Sequence, residues 1–327
     1  MKWLVGLGML LLAAAGVFVF SITRDSDPAS IDPNPSSSFR IVALGDSYIS
    51  GEGAEHFMRG TDEPEPARQN LCRRASTAYP YLIAKQLDAS LKFVACSGAR
   101  TGDVIDSGQY IHTPPGTFGR TSQLAVLEHI RDPDVVLISI GGNDAGFSKI
   151  GFTCVVPFAK NDCRQHAGDW LRHLDERVYP AMERTFRRVR RAAPGVPVFA
   201  LTYPIPIGPE LCQVAGLEVG EMRFLRVRFV PQLNRLVRRA TEQAGIGLID
   251  LSEALSGYRF CEQPRRTRAI NFVKFGHTIG SGVDIHQPSS FVRSTFHPNE
   301  RGHEMMKRKV LPVIAAVRAR ALASAQP

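Results

Sequence analysis

The chain predicts an α/β domain built on a mainly parallel five-stranded sheet with helices on both faces. Three observations lead there. Five short apolar runs rich in β-branched residues, at 41–44, 91–95, 135–140, 196–202 and 247–251, read as buried strands. Segments with apolar residues at 3.6-residue spacing lie among them, at 79–87, 123–129, 170–192 and 224–243. Strand alternates with helix, which a parallel doubly wound sheet requires, since parallel neighbours need a long crossover. A final helix is expected over 298–322, with Pro298 in its first turn and a kink at Pro312. The stretch 252–296 has Gly, Pro and Ser without periodicity, and long irregular segments of compact domains tend to carry function.

The N-terminus is of another kind. Lys2 precedes an almost unbroken apolar run from Trp3 to Ile22, long enough for a bilayer-spanning helix of roughly 30 Å. Phe18, Phe20 and Ile22 stand where a cleavage site wants small residues. Residues 1–24 are therefore read as a membrane anchor or signal peptide, an uncleaved anchor with its N-terminus inside being preferred. Either one exports the rest. Residues 25–38 are Pro/Ser/Asp-rich with Ile31 as their only large apolar residue, a composition expected to form a disordered linker. The catalytic domain is expected to span 39–322.

The formal charge is +9, with 32 arginines to 8 lysines. Arginines cluster at 184–191 and 223–239, interleaved with apolar residues at helical spacing, which reads as solvated helix faces. The functional alternative is attraction to anionic lipid or wall polymer. No nucleic-acid recognition motif is present, and nucleic acid is not an expected partner. Six cysteines (72, 96, 154, 163, 212 and 261) in an exported chain argue for three disulfides. Fifteen pairings are open to six cysteines; pairing in sequence order is the simplest. There is no Cys-x-x-Cys pair, so zinc is not expected, and no other metal or cofactor is called for.

Four segments carry possible chemistry. Gly45-Asp46-Ser47 ends the first strand, where open α/β sheets place their ligands. Ala95-Cys96-Ser97-Gly98-Ala99-Arg100 ends the second, and Gly141-Gly142-Asn143-Asp144 the third. Phe296-His297-Pro298-Asn299 follows the irregular stretch. Acyl transfer needs a nucleophile, a base and oxyanion donors. Ser47 suits the first role and His297 the second. The N–H groups of Ser47 and Gly98 and the amide of Asn143 suit the third. The first three segments also have plainer readings, as turn chemistry for Gly-Asp-Ser and Gly98 and as a helix cap for Asn143-Asp144.

In order, the four segments resemble the blocks of the SGNH hydrolase family, also called GDSL esterases and lipases: Ser47, Gly98, Asn143 and His297. Segments 95–104 and 141–146 and the six cysteines look most like its secreted actinobacterial lipase and esterase branch. The resemblance implies a three-layer αβα sandwich, a metal-free mechanism and three sequential disulfides. One position departs from it. Many members carry an aspartate three residues before the histidine, where this chain has Ser294. A main-chain carbonyl near Ser294 or Thr295 is expected to orient the imidazole instead, with Asp284 the less favoured alternative.

Asp46 is expected to tie its turn, Asp144 to be structural, and His303 to pack within the last helix. Tyr48 and Phe147 flank the site, lining either an acyl pocket or the core. The function read from these residues is an exported serine ester hydrolase, monomeric in its catalytic domain, acting on a lipid-like ester or acylated polymer. A polysaccharide O-acetyl esterase and a non-catalytic tethered binding module are the alternatives.

Overall fold

The computed structural model describes residues 32–62, 70–106, 109–110, 120–128, 130, 132–147, 150, 166–212, 218–271 and 294–324. The apolar run 3–22 and the linker residues 25–31 lie outside them, as do Asp284, Cys154 and Cys163. Among the described residues no helix is long and apolar enough to cross a membrane.

The five expected strands are β1 (Arg40–Gly45), β2 (Ser90–Phe93), β5 (Val135–Ser139), β6 (Val198–Leu201) and β7 (Gly247–Ile249). They form one parallel sheet in the order β2-β1-β5-β6-β7. A separate two-residue pair, β3 (Gln109–Tyr110) with β4 (Arg120–Thr121), is antiparallel. All five residues of β5 are buried, as are those of β1 after Arg40, which matches their unbroken apolar sequence.

The helices follow from the order of the strands. The chain steps from β1 to β2 in one direction and from β2 through β5 and β6 to β7 in the other. Right-handed crossovers therefore place the connecting helices on opposite faces. Helix α2 (Tyr79–Gln86) covers one face together with the C-terminal helix α9 (Glu300–Ser324), which packs against it. The other face carries α3 (Thr101–Ile105), α4 (Gln123–Glu128), α6 (Tyr179–Ala192) and α8 (Val230–Ala244). This is the three-layer αβα sandwich. The direction of winding reverses between β1 and β5, and a crevice opens there at their carboxyl ends.

Two long periodic segments differ in detail from the reading of the sequence. Helix α5 (Ala167–His173) runs into α6 through a π-helical turn, Leu174–Val178, and α7 (Val219–Phe224) runs into α8 through another, Leu225–Phe229. An extra residue per turn leaves the apolar stripe continuous, so it escapes a 3.6-residue template. The last helix begins at Glu300, not at Pro298. The Asn299 side chain accepts a hydrogen bond from Gly302 N–H at 3.1 Å and so caps the helix, leaving Pro298 outside it, bridged to Ile270. The helix continues through Pro312.

Disulfides join Cys72 to Cys96 and Cys212 to Cys261, in sequence order. By loop-closure entropy each contributes about 3–4 kcal/mol.

Candidate active site

The turn that carries Ser47, the candidate nucleophile, grows out of β1. Gly45 has φ 130°, and a Cβ there would sit 2.0 Å from Ser139 O, so only glycine lets β1 turn this close to β5. Asp46 caps the short helix α1 (Ser47–Ser50), its Oδ1 accepting from Tyr48 N–H at 3.0 Å. Its Oδ2 accepts from the Tyr203 hydroxyl at 2.5 Å, and that hydroxyl accepts from Gly142 N–H at 2.8 Å. Asp46 thus ties three elements together from a fully buried position, as its expected structural role requires. Burial pushes its carboxyl up to about 7 against the pull of those hydrogen bonds.

His297 arrives from the far end of the chain. Its Nε2 lies 2.7 Å from Ser47 Oγ and its Nδ1 3.0 Å from Thr295 O. A carbonyl can only accept, so Nδ1 carries the proton and Nε2 presents its lone pair to the Ser47 hydroxyl. Burial lowers the imidazole pKa, while the Glu52 charge and the Thr295 carbonyl oppose that shift. The ring is therefore a neutral base at neutral pH.

The backbone before His297 is held under strain. Phe296 has φ 57°, a left-handed conformation costly for a bulky residue. Three groups hold it there. Tyr48 O–H donates to Phe296 O at 2.7 Å, Phe296 N–H to Asn271 O at 3.0 Å, and Asn271 N–H to His297 O at 2.9 Å. The Asn271 amide also donates to Gly53 O at 2.8 Å. Gly53 is glycine for lack of room, since a Cβ there would meet His297 Cβ at 2.7 Å.

The second and third segments reach the same crevice. Cys96 N–H donates to Gly45 O at 3.0 Å, bringing the Gly98 loop to the nucleophile turn. Asn143 donates one amide hydrogen to Ala99 O at 2.9 Å, and among the described residues nothing accepts the other. Asp144 accepts from Thr101 N–H at 2.9 Å and from its hydroxyl at 2.6 Å, which locks the two loops to each other. Among the described residues nothing accepts from the N–H of Ser47 or of Gly98, and Gly98 is exposed. All four expected residues thus belong to one cluster of mutually tied loops.

Several residues of the site escaped the reading of the sequence. Glu52 is buried, its two oxygens held by Arg73 Nη1 at 2.6 Å and Ser97 Oγ at 2.5 Å. Arg73 also reaches Asp62 at 2.9 Å. Arg74 is buried too, its Nε on Ala95 O at 2.8 Å and Nη2 on Val94 O at 3.2 Å. The one signal in the sequence was Glu52 between two glycines a few residues after Ser47, with two arginines after Cys72. His303 is fully buried, as its packing role requires. Its Nδ1 accepts from Tyr79 N–H at 3.3 Å, and desolvation lowers its pKa to about 3. Among the described residues no cluster of three His, Cys, Asp or Glu side chains is placed to hold a metal ion.

The chain is similar in sequence and fold to named lipases. The sequence profile of the GDSL-like Lipase/Acylhydrolase family matches residues 43–305. Lipase 2 of Streptomyces coelicolor is 29% identical over 314 residues, 93% of this chain and 95% of that protein. Lipase 1 of the same organism is 27% identical over 276 residues, 83% of this chain and 89% of that protein. The crystal structure of phospholipase A1 from Streptomyces albidoflavus superposes with a TM-score of 0.64 at 26% identity, covering 86% of this chain and 99% of that one.

Proposed function

Because the chain belongs to the GDSL-like lipase/acylhydrolase family and is a carboxylic ester hydrolase, we propose that it works through an acyl-Ser47 intermediate with His297 as its base. The observation that carries this reading is the contact of Ser47 Oγ with His297 Nε2 at 2.7 Å, with Nδ1 tied to Thr295 O. Ser47 Oγ attacks the acyl carbon as its proton passes to Nε2. The imidazolium then gives that proton to the departing alcohol. Water, deprotonated by His297, attacks the acyl-enzyme, and the proton returns to Ser47 as the acid leaves.

The oxyanion of each tetrahedral intermediate is received by Ser47 N–H, Gly98 N–H and the unused amide hydrogen of Asn143. In comparable sites each such donor contributes about 2.7–4 kcal/mol. A neutral carbonyl in place of a carboxylate still fixes the tautomer that the base needs, though it stabilises the imidazolium less.

The substrate class proposed is a lipid-like ester. The relatives named lipase and phospholipase A1 support it, as does the Tyr48–Phe147 ring contact beside the site, with centroids 5.8 Å apart. Export is proposed as well, on the apolar N-terminus and the two disulfides. The test is turnover of p-nitrophenyl esters from acetyl to palmitoyl by the full chain and by Ser47→Ala. The variant should lose about 10⁴-fold or more in kcat and keep its melting temperature. A variant that retains most of its activity rules the mechanism out, and activity confined to the acetyl ester replaces lipid by acetylated polysaccharide.

A further inference from the structure

The arginine-rich helices are not uniform. On α6 and the body of α8 several arginines are satisfied locally: Arg187 by Glu183 at 2.8 Å, Arg238 by Asp250 at 2.9 Å, and Arg239 over the Tyr179 ring at 4.4 Å. The segment from α7 through the second π-helical turn is different. Val219 and Val227 are 42% and 55% exposed, two of the four large apolar residues so exposed among those described. They are eight residues apart with Arg223 midway, so all three share one helix face. Arg228 follows Val227, and both arginines are exposed without an acidic partner among the described residues. Glu218, before α7, is the nearest exposed carboxylate in the sequence. Arg226 is tied to Ile207 O at 2.8 Å.

The position of this face matters as much as its composition. Strands β6 and β7 are parallel, so the helix joining them starts at the carboxyl edge of the sheet, the edge that carries Ser47. A file of touching rings connects the two places: Tyr48, Phe147, Phe229, Phe224 and Trp170, with successive centroids 5.8 to 6.1 Å apart.

We propose that Val219, Arg223, Val227 and Arg228 form a docking surface for an anionic phospholipid bilayer. The guanidinium groups meet the headgroup phosphates and the valines enter the layer beneath. The occupant is chosen by charge complementarity together with the exposed apolar pair, since a soluble polyanion satisfies the arginines and gives the valines nothing. Docked in this way, the start of this helix, at the carboxyl edge of the sheet, lies against the lipid. The inference extends the catalytic reading but does not depend on turnover.

The experiment is sedimentation of the full-length protein with vesicles of phosphatidylcholine, with and without phosphatidylglycerol. The parent carries Ser47→Ala so that the lipid stays intact. Residues 1–24 are the same in every variant, so their own lipid affinity cancels in each ratio. Arg223→Gln/Arg228→Gln should lower partition onto anionic vesicles about 25-fold, roughly fivefold per arginine, and leave neutral vesicles unaffected. Val227→Asp should lower partition onto both vesicle types. The same substitutions with Ser47 intact should leave p-nitrophenyl acetate turnover unchanged, so a failure of docking and a failure of the catalytic reading show separately. Arginine variants that partition like the parent overturn the proposal. So does a Val227→Asp variant that binds vesicles undiminished while polyphosphate binding depends on Arg223 and Arg228, which would assign the face to polyanions.

Discussion

Around Ser47 and Gly98 the backbone is held by a disulfide, a buried ion pair and a buried guanidinium on two carbonyls. Around His297 the described ties are hydrogen bonds made by a tyrosine, an asparagine and a main-chain carbonyl. The two halves do different work. Donors of the proposed oxyanion hole must resist movement as negative charge appears, so a stiff, charge-bearing frame suits them. The proposed base must accept a proton and release it within each turnover. A fixed carboxylate on Nδ1 would stabilise the imidazolium, whereas a carbonyl holds the ring with a smaller change in its affinity for the proton.

The largest effect should come from the charged half. Glu52→Gln leaves Arg73 with Asp62 as its remaining anion partner among the described residues and weakens the hold on Ser97. We expect a loss of about 3 kcal/mol in stability, read by thermal melting, because a buried pair has been broken from one side. The kcat should fall by about tenfold or more while KM stays close to that of the parent, since Gly98 N–H in its proposed role acts mainly in the transition state. A folded variant with unchanged kcat would mean that the Glu52–Ser97 contact does not position the oxyanion loop.

The same division shows what could be read from sequence. The sheet was legible because each strand lies in a short, mainly apolar run, broken within β2 by Lys92, a purely local pattern. Ser47, Gly98, Asn143 and His297 were legible because each lies in a short motif at a strand end or beside a proline. The Glu52–Arg73–Ser97 frame was not, because its members are 21 and 45 residues apart and nothing local marks them as partners. The strained Phe296 was equally hidden, since what holds it comes from Tyr48 and Asn271. The orienter of His297 was partly legible. A missing aspartate at Ser294 pointed to a carbonyl of Ser294 or Thr295, and only three-dimensional geometry shows Nδ1 on Thr295 O while Ser294 O accepts from His297 N–H.

On the uncharged half the expected effects are smaller. Tyr48→Phe keeps the ring that packs against His297, with centroids 4.8 Å apart, and removes only the hydroxyl that donates to Phe296 O. A single neutral hydrogen bond contributes about 1 kcal/mol. The kcat should therefore fall about fivefold, and the melting temperature by a few degrees. A loss as large as that of Glu52→Gln would show that the two halves are equally critical and remove the contrast drawn here.

The smallest change in maximal rate, and the sharpest test of why the base half is neutral, should come from Ser294→Asp. The proposed mechanism needs the neutral imidazole, so the acid limb of kcat/KM should follow the His297 pKa. Burial lowers that pKa below its ordinary 6.5, so the parent enzyme should hold its rate as the pH falls past 6.5. A carboxylate brought to Nδ1 favours the imidazolium and raises the pKa, moving the limb upward by about one unit. At pH 5 the variant should then keep a smaller share of its own plateau than the parent, even where that plateau is higher. An unmoved limb would show that Thr295 O keeps Nδ1 to itself, with the backbone on either side of Phe296 holding the ring too firmly for a new partner to reach it. A limb that moves as expected would show that the carbonyl contact trades imidazolium stabilisation for activity at lower pH.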